Sequence, residues 1–378
     1  MKSPRLLAAL FFVVILGAIL YYVIGHIQEP ATTDSKGVDG IRVLAWVGYD
    51  EPDFVSLMEQ RTGLKIQVKP YVGGDQMYNL YTSATPGTYD LIVVDVEYGK
   101  KLFEEAKIIE IKSDQITSVG YHDFFQNFPE ANGRTPGSKF AVVVRWGALG
   151  IVYNTAHVSR DDIRSYKVLW NSKYKGQVGL FDWYLPNMGV ISKALGHASA
   201  YNLNNDEFKN LATYTKNLGS QAARIQPNTS EVIADLSTGA VWLVPGIGEW
   251  ACAQLIVNGQ PIDWMVPDEG GIMWIEGLAI AADISETRQR AALKFIQEMA
   301  SPEVQAKLAW RRAYQSQVPN VMAYALMNSA QRKALKVSSS DEIDEIIKNL
   351  SVRDLPKQQS ENEWQQAWDA LKASILRK

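Results

Sequence analysis

The sequence predicts an α/β protein exported across a membrane, with an N-terminal transmembrane anchor ahead of its folded body. Three observations lead there. The chain opens on an uncharged apolar run, strand-like and helix-like segments then alternate, and roughly the last hundred residues read as mostly helical.

Composition sets the outer bounds. At roughly 100–200 residues per domain, the 378 residues leave room for two or three domains. With 47% hydrophobic and 21% charged residues, the chain lies near the globular average. Its 41 acidic and 38 basic side chains give a net charge of −3, so no basic domain marks a nucleic-acid partner. The one cysteine, Cys252, excludes an internal disulfide, a cysteine-based zinc cluster and a dithiol redox motif.

The N-terminus indicates the compartment. Residues 6–25, LLAALFFVVILGAILYYVIG, form an uncharged run long enough to span the hydrocarbon core. Lys2 and Arg5 precede it and Tyr21 and Tyr22 lie near its far end, the arrangement of a cytoplasmic flank and an opposite interface. A cleaved signal peptide is the competing reading, but its apolar region typically runs ~7–15 residues and ends at small side chains. Here the run is longer, and Ile24-Gly25-His26-Ile27 is a poor cleavage context. Residues 1–27 therefore read as a signal-anchor, and 28–40 (QEPATTDSKGVDG) as a polar linker.

Structure is expected from Ile41. IRVLAW (41–46) and LKIQVK (64–69) are β-rich, and between them Phe54, Leu57 and Met58 share one helical face that Gly63 closes. YDLIVVD (89–95) is a short apolar strand followed by the helix-like EYGKKLFEEA. Further strands are expected at 140–146, 177–182, 222–226, 240–245 and 261–266, and the alternation argues for a sheet with parallel pairing. Asn228-Thr229-Ser230 reads as a helix cap, with the helix closed by Gly239, and Ser301-Pro302-Glu303 as a helix start. Helical periodicity marks 286–300, 302–313, 340–350 and 361–377.

Enzyme signatures are missing. Gly133 and Gly137 enclose three residues where a phosphate loop needs four, so this segment reads as a turn before a strand. There is no GxSxG elbow and no GxGxxG after a strand. His26, His122, His157 and His197 lie far apart and form no paired-ligand spacing. The sequence points to no catalytic residue, no cofactor and no metal.

Several segments in order resemble the spermidine/putrescine-type periplasmic binding proteins of ABC importers. They are IRVLAWVGYDEP (41–52), GTYDLIVVD (87–95), RWGALGIVYN (145–154), LWNSKYKGQVGL (169–180), PIDWMVPDEGGIMWIEGLAI (261–280) and AALKFIQEMASPEV (291–304). The most specific piece comprises Pro267, Glu269, Gly270, Gly271, Trp274 and Glu276. The resemblance implies a two-lobed periplasmic binding protein fold, type II-like, closing on its ligand like a hinged clamp. Residues 41–146 and 275–320 would form one lobe, 147–274 and 321–378 the other, with chain crossings near 146, 274 and 320.

The resemblance also implies where a cationic amine would bind, since carboxylates and aromatic faces are what such a ligand needs. Trp46 and Tyr49 match an aromatic pair of the polyamine binders, and Asp95 and Glu97 follow the strand whose loop approaches the ligand. Trp274 and Glu276 occupy the position of a cleft aromatic and an amine-gripping acid, and Glu249 matches an acid of the putrescine-type members. After the strand at 177–182 Asp182 is kept, but Trp183 and Pro186 stand near where further carboxylates are usual, while Gly246 replaces a common tryptophan and Val47 a threonine or serine. Glu276 also argues for itself. A carboxylate in an otherwise apolar strand needs either a structural arginine or a ligand. Strand alternation turns it to the same face as Trp274.

The implied function is capture of a small amine, polyamine- or diamine-like, for delivery to an inner-membrane ABC permease. A sensory module signalling through a membrane receptor would carry the same residues, and an exported enzyme is the third reading.

Overall fold

Each strand-like run of the sequence becomes a strand, and the ends of those strands define the site. The computed structural model describes residues 38–112 and 114–375. The expected anchor at 1–27 and nearly all of the linker at 28–40 lie outside them. Among the described residues, no helix is long and apolar enough to cross a membrane.

The first strands are β1 (Gly40–Trp46), β2 (Lys65–Tyr71) and β3 (Leu91–Asp95). Helix Pro52–Thr62 joins the first two; proline starts it, and Gly63 ends it at φ 69°, a conformation that favours glycine. Helix Gly74–Ser83 precedes β3 and helix Val96–Glu104 follows it. β1 pairs in parallel with both β2 and β3, as crossover helices require. β4 (Val142–Asn154) then opens a second strand group, with β5 (Val178–Phe181), β6 (Ala222–Gln226) and β7 (Leu243–Ile247). There too β5 is parallel to β6 and β7. β8 (Ile262–Met265), β9 (Gly271–Ile280) and the short β10 (Leu350–Val352) complete the strands of the described residues.

Parallel pairing does not extend through the whole sheet. β4 and β9 run antiparallel, from Val142 opposite Leu278 to Leu149 opposite Ile272. β9 is also antiparallel to β3, and β4 to β7 and β8. The strand order is β2-β1-β3-β9-β4-β7-β5-β6, with β8 on β4 and β10 on β9. Both central strands are buried along their whole length, as their near-continuous apolar sequence requires.

These two strands run from one hydrophobic core into the next. A first core gathers Leu44, Val93, Trp146 and Leu278; a second gathers Leu149, Ile151, Leu180 and Ile272; a smaller third holds Val152, Val244 and Trp264. A third crossing was expected near residue 320. The segment beyond it stays with the first core, where Ala323, Tyr324, Leu335 and Ile343 are buried. The second core is rejoined by Trp364, Trp368 and Leu371 of helix Glu361–Ile375.

Three helix readings differ from the structure, and one of them, expected over 340–350, ends at Ile347 because Leu350 already belongs to β10. The helix expected over 302–313 stops at Ala309, because Trp310 bridges to Gln315 and Arg311 turns inward to Glu51 and Asp53, each 2.6 Å away. Ser301 sits at its N-terminus, but its hydroxyl donates to the Glu298 carbonyl at 2.7 Å instead of capping. By contrast, Asn228 does cap helix Thr229–Thr238, accepting the Glu231 N–H at 3.0 Å.

Candidate ligand-binding site

The site forms where strand ends from the two lobes meet, the usual place for ligands in open α/β sheets. β1 delivers Trp46, β3 delivers Asp95, and β9 delivers Trp274 and Glu276. In the antiparallel register of β3 and β9, Asp95 and Glu276 are direct partners. Phe181 and Trp183 come from the end of β5, Trp250 from the helix after β7, and Arg353 from just beyond β10. Together they line a cavity of about 240 Å³. That lies below the ~300–1,000 Å³ of most drug-sized sites and fits a small ligand. A larger groove of about 790 Å³ runs along residues 111–143, but its charged groups Lys112, Asp114 and Lys139 are not buried.

The wall is aromatic. Trp46 and Trp183 meet at a 48° tilt with ring centroids 6.0 Å apart, and Tyr71 supports Trp46 at 5.1 Å. The guanidinium carbon of Arg353 lies 4.6 Å from the Trp183 ring centroid.

The charges form two groups. In the first, Tyr49 donates a 2.8 Å hydrogen bond to Glu276 Oε2, and Arg145 Nη1 lies 3.8 Å from the same oxygen. Arg145 gives its Nε–H to Ser316 Oγ at 2.8 Å and rests 4.3 Å over the Tyr314 ring. Because the pair is too long for a direct hydrogen bond, burial still pushes Glu276 up to about 7, with the Asp95 charge adding to it. In the second group Arg353 Nη2 stands 2.7 Å from Asp95 Oδ1, and its Nε 2.5 Å from Glu97 Oε1. Burial raises Asp95 and pushes Glu97 up to about 8, because one guanidinium is shared between two carboxylates. Asp90 shows what a purely structural acid looks like in this chain. Burial works against its charge, but Arg288 and Arg42 outweigh it and hold its pKa below the ordinary value.

Residues 55–336 match the family described as bacterial extracellular solute-binding protein. The chain belongs to that family. The spermidine/putrescine-binding periplasmic protein of Escherichia coli strain K12 is 25% identical over 295 residues, spanning 75% of this chain and 78% of the relative. Among solved structures, a putative spermidine/putrescine ABC transporter protein from Listeria monocytogenes superposes with TM-score 0.74 at 19% identity, covering 88% of this chain and 99% of that one. A spermidine/putrescine ABC transporter substrate-binding protein from Streptococcus pneumoniae gives 0.70 at 19%, covering 90% and 99%. At those identities the two structures show the shared two-lobed fold.

Of the nine candidate ligand-binding residues read from the sequence of this family member, the structure brings five to the cavity wall: Trp46, Asp95, Trp183, Trp274 and Glu276. Tyr49 stands behind Glu276, bonded to it. Three carboxylates lie elsewhere. Glu97 faces Arg353. Asp182 accepts from Trp368 Nε1 at 2.8 Å and Lys372 Nζ at 2.7 Å, tying down the C-terminal helix. Glu249 is fully buried, accepts the Ala148 N–H at 3.3 Å and is pushed up to about 8 by burial. Its Oε1 and Trp274 Nε1 crowd Gly147, where a Cβ would come within 1.9 and 2.4 Å of them. The sequence reading missed Arg145, Tyr314 and Arg353. Arg145 had a signal, a lone charge in the apolar run FAVVVRW; Arg353, in the polar stretch SVRDLP, had none.

Proposed function

We propose that this protein is the periplasmic receptor of an ABC importer, and that it holds a small cationic amine of the diamine or polyamine kind between its lobes. The observation that carries this reading is the cross-strand pair Asp95 and Glu276 on an aromatic wall. Like charges placed opposite each other on neighbouring strands disfavour one another. Arg353 already stands on Asp95, so an ammonium at Glu276 would relieve what remains of that cost, and the faces of Trp46, Trp183 and Trp274 suit both the cation and its methylene chain.

In this reading Glu276 is the principal acid, Asp95 its partner, and Tyr49 positions the Glu276 carboxylate. The spermidine/putrescine names carried by the relatives support the same ligand class. The lobes close over the ligand about β4 and β9, a hinge closure common among such receptors. The uncharged run at 6–25 keeps the receptor beside its permease. A thermal-shift screen of the purified protein against amines tests it. Ligand at ~100 times its dissociation constant should stabilise the fold by about 2.7 kcal/mol; a flat response to every di- and polyamine would overturn it.

A further inference from the structure

Arg353 makes, inside the cleft, the contacts that a ligand ammonium would make. Its guanidinium lies over the Trp183 ring at 4.6 Å, 2.7 Å from Asp95 Oδ1 and 2.5 Å from Glu97 Oε1. An aromatic face with two carboxylates is a complete site for a cation. Here the occupant belongs to the chain. Arg353 is 3% exposed, forms part of the cavity wall, and is fixed by its backbone N–H, which donates to the Met273 carbonyl at 2.7 Å. Among the described residues Glu276 has no comparable partner: the nearest guanidinium there, that of Arg145, stands 3.8 Å off and gives its Nε–H to Ser316.

We propose that Arg353 is a specificity-determining residue that fills one cation subsite of the cleft with the protein's own charge, leaving one ammonium position at Glu276. The proposal rests on the amine-receptor reading and places the ligand at the low-charge end of that class. A longer, more highly charged amine would bring a second ammonium against a fixed guanidinium, and selectivity built on repulsion follows. A short diamine can keep its second ammonium toward solvent.

Titration calorimetry on the purified full chain with the diamine putrescine and the triamine spermidine tests this. The wild type should prefer the diamine. Arg353→Gln should shift the spermidine-to-putrescine affinity ratio toward the triamine by about tenfold or more, the scale of one desolvated cation–aromatic contact. Because Arg353→Gln alone leaves two buried carboxylates uncompensated, Arg353→Gln/Glu97→Gln is measured beside it. The double variant removes the cation together with one of the two acids it holds, and the same shift is expected. A wild type that prefers spermidine, or an unchanged ratio in the double variant, overturns the proposal and leaves the amine receptor standing. If neither amine binds the wild type, the receptor reading falls and the proposal with it.

Discussion

The Tyr49 hydroxyl holds Glu276 Oε2 at 2.8 Å across 227 residues of sequence, and Arg145 approaches that same oxygen at 3.8 Å. Both contacts fall on one oxygen, so Oε1 takes neither. The carboxylate is thus oriented by the protein while half of it is left for the cavity it lines.

Glu276→Gln should therefore damage binding and folding together. Removing the charge that a buried ammonium needs costs about 2–5 kcal/mol, roughly 30- to several-thousand-fold in affinity. Arg145 also loses its nearest carboxylate. Tight buried pairs cost ~3–5 kcal/mol to break; at 3.8 Å the contact is longer, and a loss of about 1–3 kcal/mol is expected. Calorimetry and a melting curve on this variant check both, and intact affinity would remove Glu276 from the site.

Binding should depend on pH. Burial holds Glu276 near 7 in the empty cleft, and an ammonium beside it favours the ionised form. Ligand binding then lowers that pKa and releases a proton, so affinity rises between about pH 6 and 8. At pH 7 the binding heat should vary with the ionisation heat of the buffer. Glu276→Gln should lose most of that dependence.

Glu249 predicts the opposite slope for the fold itself. Folding raises its pKa from 4.5 to about 8 by burial, so the folded chain holds this proton more tightly than the unfolded one. The sign follows: its stabilising contribution is complete below pH 4.5 and is lost as pH rises through 8. Glu249→Gln should match the wild-type melting temperature below about pH 4.5 and exceed it above about pH 8, because the amide cannot ionise. Melting curves that stay parallel across that range would contradict this.

Asp182→Asn should leave amine affinity unchanged. Its carboxylate serves Trp368 and Lys372 on the C-terminal helix, and with Lys372 partly exposed the ion pair is worth about 0–1 kcal/mol. A small drop in melting temperature with unaltered calorimetry is the expected outcome.

The contrast between Glu276 and Asp182 shows what the sequence could tell. Apolar runs marked the strands, and a lone acid in IMWIEGLAI announced a carboxylate that needed a partner. Strand alternation then put Trp274 and Glu276 on one face, and both line the cavity. Pairing across the chain was not legible. Nothing local says that Arg353 reaches Asp95 and Glu97, because that contact spans more than 250 residues. The antiparallel direction of β4 and β9 was likewise hidden: a buried apolar strand looks the same whichever way its neighbours run.

Titration calorimetry of the purified protein with putrescine tests the central claim most directly. The account predicts saturable one-to-one binding that weakens at least about thirtyfold in Glu276→Gln. Absence of binding by putrescine and by every other di- or polyamine, in a protein that melts cooperatively, would contradict it.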